Sequence, residues 1–533
     1  DSLHLEWPGG KSLTLKNVKP NQLLQVHYKD FIQDTDFKNF KYNDQNQLFK
    51  LLTNDFGLNY EHQENDFSDF DMQKLIPHKF SDLGPAVTVA DINNDGLEDV
   101  FFGASRFQPA QIFIQGTDGF HAKSYESIAE DSLAEDVSAT AGDFNNDGKI
   151  DILVASGGGE SVGANNWLLD RLYLGTENGF VKDTLFPETF ANSSIVKSAD
   201  FDKDGDLDVF IGANSVNYDF GNMPKSALLL NENGQFTKLQ HAEFENIGMV
   251  NDASWTDFDQ DGNLDLILVG EWMSPRFFRN NSGKFEEVTP DLISEKLNGM
   301  WQSIQPFDAD GDGDEDYLLG NWGLNTKLKA DEKTPLRMYY SDFDGNGLTE
   351  TLIATEKDDK YYFIGGLDDL SAQLSTLLRK RFTSYQKFAG KAVNEIFTPE
   401  ELNDATLFEI HTLASGYLEN RDGKFVFHAF PSQVQVAPIR SMLRYDFDHD
   451  GNEEVLFAGN YFGVTPYHGK FDGLGGLLYF NKNKILNSVE IGLNLSQNSV
   501  KNLSVIEIGK KPYLLVTSNN SKVLVYEITS VNE

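Results

Sequence analysis

Nine residues, Asp200 to Asp208, read DFDKDGDLD, and six further copies of this pattern begin at Asp91, Asp143, Asp257, Asp308, Asp342 and Asp446. Every copy has Asp at position 1, Asn or Asp at position 3, Gly at position 6 and Asp or Glu at position 9. Short oxygen-bearing side chains at alternate residues, with a Gly that lets the backbone turn sharply, can wrap a single centre. Position 7 adds its backbone carbonyl. No His or Cys takes part, so the donors are all hard oxygens, and Ca²⁺ is the matching cation. A solvated Asn/Asp/Gly turn would explain one such stretch, but not seven with the same spacing.

The expected ligands are therefore Asp91, Asn93, Asp95, Leu97 and Asp99; Asp143, Asn145, Asp147, Lys149 and Asp151; and Asp200, Asp202, Asp204, Asp206 and Asp208. The later copies supply Asp257, Asp259, Asp261, Asn263 and Asp265; Asp308, Asp310, Asp312, Asp314 and Asp316; Asp342, Asp344, Asn346, Leu348 and Glu350; and Asp446, Asp448, Asp450, Asn452 and Glu454. Up to seven Ca²⁺ ions are expected. An EF-hand needs Glu at position 12 and helical flanks, whereas position 12 is Phe102 in the first copy and Ile211 in the third. The flanks are instead short β-type runs such as 87–90 and 266–269, which make each copy a strand–loop–strand unit.

DxDxDGxxD between two strands resembles the FG-GAP or VCBS repeat of integrin-like β-propellers, over about residues 84 to 533. The resemblance implies four-stranded blades: strand A before each loop, strand B after it, and strands C and D joined by Asn-Gly or Ser-Gly turns such as those at 231–234 and 280–283. Position 1 recurs after 52, 57, 57, 51, 34 and 104 residues. The interval of 34 is too short for a blade, so the loop at Asp342 is placed in a hairpin inserted between strands B and C of blade five. The expected fold is all-β: a seven-bladed β-propeller with calcium loops, occupying residues 57–533. The insertion covers about 321–411, and its helical part about 366–404. Leu370, Leu374, Leu377, Leu378 and Phe382 recur at helical spacing there, and Thr398-Pro-Glu-Glu401 is a capping box. Residues 57–62 are expected to close the ring as an outer strand of the last blade.

Residues 1–30 read as a small unit of three strands, 3–7, 13–15 and 23–28, with turns at Pro8-Gly9-Gly10 and Pro20-Asn21; residues 31–56 read as a linker. Residues 5–26 resemble the end of an ASPIC/UnbV module. With 65–70, 75–85 and 378–385, the whole looks like the large VCBS-repeat surface proteins of Bacteroidota, which resemble cartilage acidic protein in joining FG-GAP repeats to that module. The resemblance implies an exported protein of the cell surface or outer membrane, typically a lipoprotein, often associated with SusC/SusD-type nutrient importers, with an upstream propeller half missing from this chain.

The formal net charge of −39 argues against nucleic acid or an anionic membrane as partner, and roughly three in ten of the 83 acidic residues occupy the loop ligand positions. No run of 18 apolar residues occurs, and there is no cysteine. The B–C and D–A connections gather on the face opposite the loops, where Arg106, Trp167, Arg171, Tyr218, Trp255, Trp272, Arg276, Trp301, Trp322, Tyr461 and Tyr467 form a candidate ligand-binding surface for a glycan, a peptide or an outer-membrane partner protein. Packing of the same aromatics into the channel is the competing reading. No catalytic set is assigned. Gly159-Glu-Ser-Val-Gly163 matches GxSxG but lies in a Gly-rich loop. The function expected is a non-enzymatic, Ca²⁺-stabilised binding module. The alternative is a propeller-type polysaccharide lyase or hydrolase using Tyr218, Tyr461 or His468.

Overall fold

The computed structural model describes residues 2–7, 11–19, 22–30, 33–34, 47–161, 163–240, 244 and 246–529. The turns read at Pro8-Gly9-Gly10 and Pro20-Asn21, and most of 31–46, lie outside them. At the N-terminus Ser2–Trp7 pairs antiparallel with Lys11–Lys16, and Gln33–Asp34 pairs with the latter. The third strand read at 23–28 is not formed. Leu23 is 98% exposed, so that apolar run has no surface to bury against.

From residue 87 the chain is mostly strand, in four-stranded antiparallel sheets consistent with the blades of a propeller. Seven of them place four strands side by side in one order, and in the one begun by Met249–Thr256 a fifth strand, Gly299–Met300, pairs with Asp265–Met273. The first is Val87–Ala90, Asp99–Phe102, Gln111–Gly116 and Gly119–Lys123, in that order. Six more sheets of the same order start at Glu135–Gly142, Asn192–Ala199, Met249–Thr256, Ser303–Phe307, Ile439–Tyr445 and Ser499–Ile508. These first strands touch one another in succession, and that of the seventh sheet touches that of the first. The second strands are buried on both faces, as 151–157 and 208–215 show, because each sheet is covered by the next.

The fourth strand of the seventh sheet is Phe49–Leu51, which pairs with Leu524–Ile528. The sequence predicts this role for 57–62 and a linker over 31–56. Both assignments are corrected: the Glu61–Lys522 contact is only an isolated bridge. Phe49 decides it, being fully buried edge-on to Phe447, so that it fills the gap between sheets six and seven.

In the fifth sheet the second strand, Asp316–Gly320, pairs directly with Gly416–Arg421. Between them the chain builds a separate four-stranded sheet from Leu336–Ser341, Glu350–Lys357, Lys360–Phe363 and Thr406–Ile410. Short helices at Leu367–Gln373, Ser375–Arg381 and Pro399–Asn403 follow, the last capped by Thr398 with Glu401 at its third position. Leu370, Leu374 and Leu378 are buried against Tyr339, Phe343 and Phe397.

Residues 64–85 cross the middle of the molecule on the side away from the loops. Phe80 packs on Phe220 of sheet three, His78 binds Glu271 of sheet four, and Lys79 exchanges hydrogen bonds with Tyr461 and Gly463 of sheet six. Ile76, Phe80 and Leu83 belong to the largest core.

Candidate metal loops and the opposite face

The loops fold by closely similar local bonds. In every loop the position-1 carboxylate accepts from the position-6 N–H, and in all but the Asp446 loop from a second N–H: Asp91 takes those of Asp95 at 2.9 Å and Gly96 at 2.8 Å, Asp342 those of Asn346 and Gly347 at 3.0 and 2.8 Å, and Asp308 those of Gly311 and Gly313. The residue at position 4 sits in the left-handed region, as Asn94, Asn146, Lys203, Gln260 and His449 show. Position 2 is a buried anchor: Phe144, Phe201 and Phe447 are at most 1% exposed.

Position 9 ties the loop to its sheet. Asp99 accepts from Ile92 N at 3.0 Å and from Gln115 N on the third strand at 2.7 Å. Asp151, Asp208, Asp265 and Asp316 repeat the second bond with Gly175, Asn231, Asn280 and Asn420. Burial, then the neighbouring loop carboxylates, push Asp99, Asp151 and Asp316 up to about 6, and Asp208, Asp265, Glu350 and Glu454 to about 7. A cation in the loop acts in the opposite direction and holds these groups ionised.

Five loops bring three carboxylates to within 4.8 Å of one another: Asp200, Asp202 and Asp204; Asp257, Asp259 and Asp265; Asp308, Asp310 and Asp316; Asp342, Asp344 and Glu350; and Asp446, Asp448 and Glu454. Oxygens about 2.4 Å from one centre span that distance. The loops at Asp91 and Asp143 carry Asn at position 3, so their donor sets mix amide and carboxylate oxygens. Asp265 Oδ2, Asp310 Oδ1, Asp314 Oδ1, Asp344 Oδ1 and Asp446 Oδ1 are buried with no hydrogen-bond donor. Oxygen atoms stranded in this way fit a hard cation.

Asparagines outside the loops also shape this face, and the sequence reading took them only as hairpin turns. Asn231 donates to the Phe144 carbonyl of the neighbouring sheet at 2.8 Å and accepts from Gly234 N at 2.8 Å. Asn280 does the same with Phe201 and Gly283, and Asn420 accepts from Gly423 N. The signal was the Asn standing three residues before the Gly in NENG, NNSG and NRDG.

The opposite face differs from the surface read from the sequence. Trp272, Trp322 and Tyr461 are 3–4% exposed; His78 lies against Trp322 and Tyr461, and all three rings belong to the central core. They are thus packed beneath residues 76–83, as the competing reading held. Trp301 is fully buried, with Nε1 donating to the Leu297 carbonyl at 2.9 Å. Arg171 is buried against Asp136 and Ser156. Trp255 belongs to the strand leading into Asp257 and stacks on Phe201, so it lies at the loop end and not on the opposite face. Arg276 is held at the flank by Glu287 and the Ile247 carbonyl. Tyr461 is further removed from acid–base use because its hydroxyl donates to the Lys79 carbonyl at 2.7 Å.

Two groups stay reachable. Arg106 pairs with Glu160 at 2.5 Å and lies 4.3 Å over the Trp167 ring, while Tyr218 Oη bonds the Glu160 carbonyl at 3.3 Å. Tyr467 is 56% exposed, with the Lys327 ammonium 4.0 Å from its ring centre. Beside it a cavity of about 540 Å³ opens between residues 74–77, the inserted sheet and residues 465–468, lined mostly by apolar surface.

Repeated four-stranded sheets, six of them with an acidic nonapeptide loop between the first and second strands, are consistent with a β-repeat protein of the propeller type. The family described as "FG-GAP-like repeat" matches residues 91–154, 143–211 and 257–319. Cartilage acidic protein 1 of Mus musculus is similar over 219 residues at 29% identity, covering 38% of this chain and 31% of that protein; the matched stretch is thus less than a third of the relative's length. Among solved structures, the Vibrio cholerae biofilm matrix protein Bap1 aligns at 12% identity with a TM-score of 0.37 over 91% of each chain. Saccharomyces cerevisiae Sqt1 aligns at 10% identity and 0.38 over 86% of this chain and 98% of its own.

Proposed function

We propose that this chain is a Ca²⁺-stabilised binding module, a seven-bladed β-propeller whose loops hold up to seven Ca²⁺ ions. The single observation behind this reading is the convergence of three carboxylates in each of five loops, with stranded buried oxygens in four of those loops. The ions rigidify the corners of the sheets, and recognition takes place on the other side. There the candidate contacts narrow to Arg106, Trp167 and Tyr218 around Glu160, and to Tyr467 beside the inserted unit. A glycan, a peptide or a partner protein of an outer-membrane uptake system is the ligand class, and FG-GAP repeats are of a kind typical of extracellular and surface proteins. Among the described residues no helix is long and apolar enough to cross a membrane. Calorimetric titration of chelator-treated protein with Ca²⁺ tests the metal half. Several equivalents bound, with a higher melting temperature, support it; no binding removes it. A glycan array probed with wild type and with Trp167→Ala tests the recognition half.

A further inference from the structure

The 540 Å³ cavity has the size of a small-molecule site and is enclosed by three chain segments that only the fold brings together. Leu75 and Ile76 come from the crossing segment, Leu352, Ile353 and Ile364 from the inserted sheet, and Leu370 from the first inserted helix. These walls are hydrocarbon. The mouth is polar and its free charge is positive. Lys74 lines it and is exposed, with only a long 3.4 Å bond to the Phe70 carbonyl. Lys327 stands next to the lining, where its ammonium sits over the ring of the lining residue Tyr467 and bonds the Tyr467 carbonyl. The acid at the mouth, Asp369, is turned to its own chain and accepts from Gly366 N at 2.9 Å. His468, beside Tyr467, is pushed down by burial and by Lys327, so it adds no second negative or positive demand at neutral pH. One lysine on the lining and a second beside it, in a chain of formal charge −39, run against the general surface sign.

We infer that this cavity binds a small amphiphilic organic acid, with its hydrocarbon body against Leu75, Ile353, Ile364 and Leu370 and its carboxylate between Lys74 and Lys327. A sugar fits the walls poorly, since its hydroxyls would lose water without gaining partners there. An apolar side chain of a protein partner would use the walls but not the lysines, and the test separates the two.

The inference adds a ligand class to the binding reading and does not depend on how many loops hold Ca²⁺. Decanoate, decanol and decylammonium are titrated calorimetrically into the full chain, each also into Ile364→Trp and into the double variant Lys74→Glu, Lys327→Glu. Both lysines are exposed, so the charge variant is expected to keep the wild-type melting temperature. The expected result is decanoate bound about tenfold tighter than decanol, as a pair of charge-assisted contacts implies, with decylammonium weakest. The charge variant loses that preference and keeps decanol binding, and Ile364→Trp loses both. Decanoate that fails to bind, binds no tighter than decanol or decylammonium, or binds Ile364→Trp as well as wild type overturns the proposal. Decanol equal to decanoate points instead to an apolar side chain as occupant. In each of these cases Ca²⁺ binding at the loops would stand unaffected.

Discussion

The hydroxyl of Tyr461 donates to the carbonyl of Lys79 across 382 residues of sequence, at 2.7 Å, and Lys79 N donates back to the Gly463 carbonyl at 2.8 Å. This exchange fastens the crossing segment to sheet six, while the adjacent His78 is fastened to Glu271 of sheet four at 2.8 Å. Burial disfavours charge on both members of that second pair, yet their mutual attraction prevails, holding His78 up and Glu271 down.

Tyr461→Phe keeps the ring and removes one of two bonds to the Lys79 carbonyl, leaving that from His78 Nδ1 at 2.8 Å. A loss of about 0.5 to 1.5 kcal/mol in unfolding free energy is expected from one hydrogen bond removed while the acceptor keeps its other partner, read from urea denaturation. A change within experimental error would show that the crossing segment is held by packing alone.

Asn231→Ala removes three bonds from a fully buried side chain: to the Phe144 carbonyl, to the Leu207 carbonyl and from Gly234 N. Its expected cost is about 2 to 4 kcal/mol, since three polar groups lose their partner at once. The second and third sheets should loosen together, visible as faster amide exchange in residues 143–151 and 227–238.

Asp265→Asn tests one loop without changing its shape. The amide still accepts from Asn280 N through its oxygen but supplies no charge to a cation. Ca²⁺ stoichiometry should fall by one and the Ca²⁺-dependent rise in melting temperature should shrink, whereas in chelator wild type and variant should melt alike. Unchanged stoichiometry would exclude Asp265 as a ligand.

His62 supplies a pH test away from the loops. Burial lowers it to about 4 from an ordinary 6.5, and Nδ1 accepts from Asn520 N at 3.1 Å, so the ring is neutral in the fold. Glu64, 3.6 Å from Nε2, is itself pushed up to about 8 by burial and so carries no charge to favour a protonated ring in the acid range. Between pH 6.5 and 4 the unfolded chain takes up this proton and the folded chain does not. The His62 contribution is therefore complete above 6.5 and lost as pH falls through the window, by about 3 kcal/mol in all. His62→Asn retains an acceptor but does not titrate. The wild type should lose stability to acid more steeply than the variant over this range, and parallel curves would refute the assignment.

Much of this architecture is legible in short stretches of sequence. The acidic nonapeptides show where the chain turns, because position 1 bonds backbone N–H groups three to five residues on and needs no distant partner. The interval of 34 residues separates the Asp342 loop from the others for the same reason. Trp272 and Trp322 were misjudged because an indole in a connection between strands has the same local pattern whether it faces solvent or another segment. Phe49 was taken for linker because three strand residues among polar neighbours carry no periodicity. Trp255 was put on the wrong face because a strand of eight residues reaches further toward its loop than the sequence pattern conveys.

The sequence by itself determined the loops, their hard-oxygen chemistry and the order of the sheets, since all of these rest on bonds between residues near in the chain. Tertiary contacts settle that Phe49–Leu51 completes the last sheet, that the crossing segment packs with Trp272, Trp322 and Tyr461 in one core, and that a cavity with Lys74 on its lining and Lys327 beside it forms next to the insertion. Each of those depends on surfaces hundreds of residues apart meeting in one place, and the burial of apolar area that selects such a meeting is a property of the folded whole.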